Sequence, residues 1–320
     1  MQKAYAAHNR NPAAVQQSSS GGIFPALARQ VLERGGAVYG AAVQPDGTVG
    51  YRCVTDKAEL PALCGSKYVF VPVAPVLDDM AARTAAGQPV LAVVSPCQAT
   101  AVRRACGDSE HLLLVDFVCH GAPDAAFWTK YLDECGREHS CPVTGVNFRK
   151  KVPGASWQDY RMELRYADGT VTQTRAADDP YMKAFLHNAS LRRACSLCKA
   201  KGDNRASDLT LGDFWGVNKI IPKQHHPAGT SLVFVNTPRG QAAWRQLREQ
   251  VDSAEVDPAQ AVQYNPAAVR AAALHPQYEA FQTDKETLSV RQLADKYCRT
   301  SRREQAVGQL KRAVKGLLRR

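Results

Sequence analysis

This sequence predicts an α/β fold: a mixed, partly parallel sheet with flanking helices and a helical C-terminal extension. Three observations lead there. Val90–Val94 and Leu112–Val118 are continuous apolar runs, the pattern of strands buried on both faces of a parallel sheet. A short helical stretch, Gln98 to Cys106, joins them, so the unit should close as a right-handed βαβ crossover. Tyr160–Tyr166 and Thr170–Thr174 alternate around Ala167-Asp-Gly169, a hairpin signal that makes part of the sheet antiparallel.

The other elements follow in chain order. Ser18-Ser-Ser-Gly-Gly22 introduces a helix over Ile23 to Arg34, capped by Ser or Gly and ended by Gly35-Gly36. Ala37 to Val43 reads as a strand, Pro45-Asp-Gly47 as a turn and Val49 to Val54 as the return strand. Lys57 to Leu63 is a short helix, Val69 to Val71 a strand, and Leu77 to Ala86 a helix stopped by Gly87. Beyond the βαβ unit, Ala125 to Cys135, Pro180 to Asn188 and Gln241 to Val251 read as helices. Val143 to Arg149, Asp208 to Phe214 and Ser231 to Val235 read as strands. From about Pro276 the chain is expected to be helical and peripheral.

Composition narrows the classes. A chain of 320 residues with 45% apolar content can bury a core as one large domain or two smaller ones. No apolar run approaches the roughly 18–20 residues of a membrane span. Met1 to Asn11 is polar and lacks the apolar core of a secretory signal, so a cytoplasmic location is expected. That compartment keeps thiols reduced, so the ten cysteines point to metal or redox ligands before disulfides. Of the formal charge of +11, much resides in Ser301–Arg320, where seven Lys/Arg face Glu304 alone. The remainder is too modest to argue for nucleic acid. Val307, Leu310, Val314 and Leu317/Leu318 recur at helical spacing in this 301–320 tail, opposite its cations. Such a basic amphipathic helix suits an anionic membrane surface, with the protein peripheral to it, or an acidic partner. A solvated terminal helix is the plainer alternative.

Four thiols stand out. Cys97 closes Pro89-Val-Leu-Ala-Val-Val-Ser-Pro-Cys, and Cys119 closes the run that starts at Leu112. The βαβ unit places both at the carboxyl-terminal edge, on strands about 4.8 Å apart, where open α/β sheets bind ligands. Cys195 and Cys198 form a close pair, C-S-L-C, in a polar, basic stretch. An iron–sulfur cluster, a Cys₄ zinc site, a dithiol at Cys195 and Cys198, and plain buried thiols all compete for these residues. Zinc fits less well than a cluster, because structural zinc sites combine two close pairs in a small knuckle. Cys53, Cys64, Cys106, Cys135, Cys141 and Cys298 share no such context and read as small buried thiols.

Phosphate-binding chemistry is suggested in three places. Ser18–Gly22 offers hydroxyls, free N–H groups and the positive end of a helix dipole. Lys199-Ala-Lys-Gly-Asp-Asn-Arg205 adds cations and a permissive glycine, and Lys67 in Gly-Ser-Lys-Tyr is similar. Asp208 and Asp213 flank Leu-Thr-Leu-Gly and could hold a ligand hydroxyl or ring nitrogen, or be turn carboxylates; His120, beside Cys119, could be an acid or support the cysteine site, or simply be hydrogen-bonded. No Ser-His-Asp arrangement, HExxH or P-loop is present.

Taken together, the motifs resemble the coenzyme F420 hydrogenase/dehydrogenase beta-subunit family. The segments are Ser-Ser-Gly-Gly-Ile-Phe (19–24), Gly-Ala-Ala-Val (40–43), Gly-Ser-Lys-Tyr-Val (65–69), Pro-Cys-Gln (96–98), Asp-Phe-Val-Cys-His-Gly (116–121) and Asn-Phe-Arg (147–149). Pro-Tyr-Met-Lys-Ala-Phe (180–185), Cys-Ser-Leu-Cys-Lys-Ala-Lys-Gly (195–202), Asn-Arg-Ala-Ser-Asp-Leu-Thr-Leu-Gly-Asp-Phe-Trp-Gly (204–216) and Gly-Thr-Ser-Leu-Val (229–233) follow in order.

The resemblance implies a flavin-dependent iron–sulfur oxidoreductase. It would pass electrons between a hydride carrier (coenzyme F420 or another), FAD and a [4Fe–4S] cluster. It implies Cys97, Cys119, Cys195 and Cys198 as cluster ligands. It also implies Ser19, Ser20, Gly21, Gly22, Lys67, Lys201, Asn204 and Arg205 as flavin-site residues. His120 and Asp213 are the candidate proton handlers. Residues 1–90 and 91–250 would form the two parts of the flavin-binding core, the second holding the cysteine motifs, and 251–320 the helical extension with its basic tail. Many relatives carry an N-terminal C-x₂-C-x₂-C-x₃-C-P ferredoxin module, whereas this sequence starts directly at Tyr5-Ala-Ala. A separate ferredoxin-like or redox-subunit partner is therefore expected. A non-catalytic docking member of the same family, or a zinc-binding protein, is the alternative.

Overall fold

The computed structural model describes residues 3–203 and 205–298. Asn204 and the 301–320 tail lie outside the described residues. Among the described residues eleven strands are found: β1 (Lys3–Asn9), β2 (Ala37–Val43), β3 (Val49–Val54), β4 (Val90–Val93), β5 (Leu112–Phe117), β6 (Val143–Lys151), β7 (Tyr160–Tyr166), β8 (Val171–Arg175), β9 (Leu209–Asp213), β10 (Ser231–Val235) and β11 (Val251–Val256). Eight of them form one sheet in the order β11-β1-β10-β9-β5-β4-β2-β3, and β6-β7-β8 form a second, antiparallel sheet.

The large sheet is mixed, as the sequence predicts. β2, β4, β5 and β9 run parallel at its centre, while β3, β10, β1 and β11 attach antiparallel on either side. Helix Ile23–Glu33 covers one face and buries Ile23, Leu27 and Val31 with Leu91, Val115 and Val233. Helix Pro96–Cys106 covers the other and buries Ala99 and Val102 with Ala92, Leu112 and Leu114. Alternate residues of β4 and β5 thus enter opposite cores, which is why both strands read as unbroken apolar runs.

Several expectations need correction. β1 sits inside the sheet between β10 and β11, although Lys-Ala-Tyr-Ala-Ala-His-Asn has none of the β-branched residues that mark a strand. The helix expected over Gln241 to Val251 spans Pro238–Gln246, and Val251 instead opens edge strand β11. Val69 to Val71 is an irregular segment, not a strand; its Phe70 N–H bonds Pro123 C=O at 2.9 Å. Helix Ala125–His139 runs past Cys135, and helix Pro96–Cys106 starts early enough to include Cys97. The region after Pro276 is helical (Tyr278–Asp284, Val290–Tyr297) but not peripheral. Phe281, Val290, Leu293 and Tyr297 enter the core that joins the small sheet to helices Ala125–His139 and Pro180–Leu186. The large sheet itself draws strands from 1–90, 91–250 and 251–320 alike.

The register collects one edge of the sheet. Asp213 at the end of β9 pairs with Ser231 at the start of β10, and Ser231 in turn pairs with Ala7 near the end of β1. The Ser18–Gly22 loop closes on this edge. Gly21 N–H donates to Ser231 Oγ at 2.9 Å, Ser20 Oγ to Thr230 C=O at 2.9 Å, and Asn9 N–H to Gly21 C=O at 2.7 Å. A Cβ at Gly21 would lie 2.8 Å from Ser231 N and closer still to Ala7 C=O, so the loop can approach only as glycine. Gly21→Ala is expected to destabilise the protein by about 1–3 kcal/mol. Chemical denaturation with an unchanged midpoint would refute this close fit.

Two histidines beside the same edge, His8 and His226, hold their rings 4.7 Å apart. Burial pushes both below the ordinary imidazole range; His8, Lys151 and His225 add to the effect on His226, while Asp252 opposes it at His8. The unfolded chain therefore binds more protons than the folded one once pH falls through about 6.5. Their contribution is full above that pH and is lost on acidification. The slope of unfolding free energy between about pH 7 and 5.5 should be positive and should flatten in His226→Asn. An identical slope in the variant would exclude this pair as its source.

Candidate functional site

A cavity of about 1320 Å³ opens at the carboxyl-terminal edge of the parallel strands. Its first wall is the Ser-rich loop and the helix that follows. Gly22 takes a left-handed conformation (φ 77°) as the N-cap of helix Ile23–Glu33 and supplies no side-chain cap. The first-turn N–H groups therefore lack a capping side chain, and Ser19, Ser20, Gly22 and Ile23 line the cavity. This is the geometry that receives an anion. Ser66 Oγ donates to Ser19 Oγ at 2.8 Å, which brings the Gly65-Ser-Lys turn onto the same wall.

The second wall follows β5. Asp116 to Ala122 line the cavity, Cys119 and His120 among them. His120 Nε2 lies 2.7 Å from Asn188 Oδ1, and Asn188 Nδ2 donates to Ala273 C=O at 3.0 Å. That second bond fixes the amide, so His120 must donate through Nε2–H and keeps Nδ1 as an acceptor. Burial pushes the His120 pKa down, which favours the neutral ring.

The sequence-predicted residues divide by position. Ser19, Ser20, Gly22, Lys67, Cys119, His120 and Asp213 share the cavity, whereas Gly21 is packed behind it. Lys67 is committed to backbone: its ammonium donates to Cys64 C=O at 2.8 Å and Ala62 C=O at 3.2 Å, and burial pushes it down to about 8. Lys201 and Arg205 do not line the cavity. Lys201 holds the carbonyls of Cys119 and Ala267, and Arg205 pairs with buried Asp116 at 3.2 Å. Both tie the Cys195–Arg205 loop against the end of β5.

Two of the four singled-out thiols, Cys97 and Cys195, bear on Cys119. Cys195 packs its Cβ 3.3 Å from where a Gly121 Cβ would stand, against the turn that follows Cys119. Cys97 lies exposed in the first turn of helix Pro96–Cys106, its Sγ 3.4 Å from Ser95 Oγ. Burial pushes the Cys119 thiol up to about 12; Lys201 opposes this, and Cys195 and Cys97 add to it. The donors are of the right kind for a thiolate-held centre. Among the described residues, however, no group of three or more His, Cys, Asp or Glu stands in a metal-holding geometry.

Sequence reasoning missed two cations on β6. Lys151 donates to Val15 C=O at 2.6 Å and Ser20 C=O at 3.1 Å, and also to Ala228 C=O, pinning the Ser-rich loop. Arg149 lines the cavity and bonds Asp213 Oδ2 at 2.6 Å. In the sequence, Arg149 stands only at the end of an expected strand; the alternation of that strand sends Arg149 and Lys151 inward. Residues 264–267 and 270–274, including Tyr264 and Arg270, also line the cavity without a sequence signal.

Family models match most of the chain. Both describe the beta subunit of coenzyme F420 hydrogenase/dehydrogenase: its N-terminal model matches residues 4–78, and its C-terminal model matches residues 87–261. No curated protein matches the sequence. Among solved structures, the chain resembles one from the F420-reducing [NiFe] hydrogenase complex of Methanosarcina barkeri, studied by xenon derivatization. The TM-score is 0.54 at 15% identity, over 92% of this chain and 89% of that one, a likeness of fold. The two family models cover both sides of the cavity, and the chain belongs to the coenzyme F420 hydrogenase/dehydrogenase beta-subunit family.

Proposed function

We propose that this chain is a redox subunit that binds FAD in the edge cavity and a [4Fe–4S] cluster beside it, linking a hydride carrier to a separate protein partner. The observation that carries this reading is the cavity itself. Its volume of about 1320 Å³ exceeds the roughly 300–1,000 Å³ of a small-molecule pocket and suits a dinucleotide. An open helix N-terminus at Ser19–Gly22 stands at one wall and the Cys119–His120 turn at the other.

The residues take distinct roles. Ser19, Ser20 and the N–H groups after Gly22 receive the pyrophosphate. Lys67, Lys151 and Lys201 act through the backbone they hold. Cys97, Cys119, Cys195 and Cys198 hold the cluster. When bound, the flavin supplies hydride exchange with the carrier and the cluster supplies single-electron steps. His120 offers Nδ1 as a proton acceptor at the cavity wall. Asp213 is a positioning residue that orients Arg149. Coenzyme F420 is the carrier the family name suggests, and the partner is a ferredoxin-like or hydrogenase-type subunit. The 301–320 tail, with its seven cations, would contact an acidic partner or an anionic membrane surface. Among the described residues no helix is long and apolar enough to cross a membrane.

Strictly anaerobic purification should yield about four irons and one FAD per chain, with visible absorbance that bleaches on reduction. Zinc in place of iron, or a colourless folded protein, would overturn the redox reading in favour of a zinc-binding or docking member. Cys195→Ser should lose the cluster absorbance while the protein stays folded; an intact cluster would remove Cys195 from the ligand set. Ser19→Glu should weaken FAD binding at least tenfold, about 1.4 kcal/mol, by placing a carboxylate against the pyrophosphate. Undiminished flavin content would move the pyrophosphate elsewhere in the cavity.

A further inference from the structure

Arg149 is the least explained charged group in the cavity. Its side chain is 4% exposed, and its only hydrogen bond to another side chain among the described residues runs from Nη1 to Asp213. Nε and Nη2 are buried and have no hydrogen-bond partner among those residues. These two nitrogens lie on the same edge of the guanidinium and form a fork, the arrangement that grips two adjacent oxygens. Leaving both donors unsatisfied is costly in a buried site, so the edge is built for an acceptor.

The surroundings specify the acceptor. Tyr160 stands 4.6 Å from the guanidinium carbon, and Trp157 and Trp215 stand 5.8 and 6.0 Å away. The two tryptophans stack at 4.9 Å, and Trp215 and Tyr160 line the cavity with Arg149. Asp213 offsets one positive charge, and Lys151, two residues along β6, adds another. The local balance is then one net positive charge, which favours an anionic ligand.

We infer that the Nε–Nη2 edge of Arg149 is an oxyanion fork, binding a phosphoryl or carboxylate group of a ligand in this cavity. Two sources share that chemistry: the pyrophosphate of the proposed flavin and the anionic group of a second ligand. The fork is defined by this chain's residues and does not depend on the flavin reading.

Titration of the full chain, followed by tryptophan fluorescence from Trp215 and Trp157, tests the fork. The probes are inorganic pyrophosphate, benzoate, FAD and riboflavin, the last lacking a phosphoryl group. Arg149→Lys keeps the charge beside Asp213 but removes the fork. It is expected to weaken pyrophosphate or benzoate binding by about tenfold to a hundredfold. An equal loss for FAD, with riboflavin unaffected, assigns the fork to the cofactor. A loss for benzoate or pyrophosphate with FAD unchanged assigns it to a second ligand. If Arg149→Lys fails to fold, the double variant Arg149→Met/Asp213→Asn, which leaves no lone buried charge, replaces it and should show the same loss. Equal binding of every probe by wild type and variant overturns the inference. Pyrophosphate binding that depends on Arg149, in a protein that binds neither FAD nor riboflavin, would sink only the flavin reading.

Discussion

Two cations two residues apart on one strand fasten the small sheet to the edge of the large one. Arg149 and Lys151 leave β6 on the same face because strand side chains alternate, while Lys150 between them points away and pairs with Glu163 at 3.4 Å. Arg149 reaches the end of β9 through Asp213, and Lys151 reaches the Ser-rich loop through the carbonyls of Val15 and Ser20. These attachments join two walls of the cavity, which Arg149, Asp213 and Ser20 line. Both cations are desolvated, so each is strongly dependent on its partners. Burial works against the Arg149 charge, and Asp213, Tyr68 and Tyr160 together outweigh it, while Lys151 is pushed down to about 8. Removing one member of such a buried pair typically costs about 3–5 kcal/mol, because the other is left uncompensated.

The strand that presents these cations is itself held firmly. Phe148, between Asn147 and Arg149, is buried 4.7 Å from the Trp128 ring and 6.5 Å from Tyr181. Trp128 Nε1–H donates to Gly47 C=O at 3.0 Å, joining this aromatic core to the turn between β2 and β3. Tyr131 Oη bonds Asp179 at 2.6 Å, and Asp179 also caps helix Pro180–Leu186 by accepting from Met182 N–H. An arginine placed by so packed a strand has few alternative positions. That rigidity lets it keep an unpartnered edge toward the cavity rather than fold back onto local acceptors.

What could be read in advance follows from where side chains go. β4 and β5 were legible because both faces of each are buried, so every position is apolar and no other element fits the pattern. β1 was not, since its alanines are buried by neighbours whose bulk lies elsewhere in the chain: Ala4 and Ala6 pack with Phe214, Leu232 and Phe234. β11 keeps only Val251 and Val256 buried and leaves Asp252, Ser253 and Glu255 exposed, so its sequence has no alternation to detect. At the site, the Ser-rich helix start and the Cys119–His120 turn were legible because each is a local motif. Arg149 and Lys151 were not, because a cation's task depends on partners 64 and 136 residues away. Conversely, the local cations Lys67, Lys201 and Arg205 looked like phosphate ligands, yet their donors are taken up by backbone carbonyls and Asp116.

The thiol wall shows why a bound centre and this fold would act on each other. A thiol is a ligand only as thiolate, and burial drives Cys119 the other way, toward the protonated form. Lys201 and the Gly121 backbone recover part of that penalty but not all of it. Positive charge delivered at the sulfur itself, as the proposed metal centre would supply, deprotonates a coordinating thiol outright. Cys195 and Cys97 raise the Cys119 pKa further while they stand as bare neighbours. Under the proposed ligation, a shared centre would turn that repulsion at Cys119 into a common attraction.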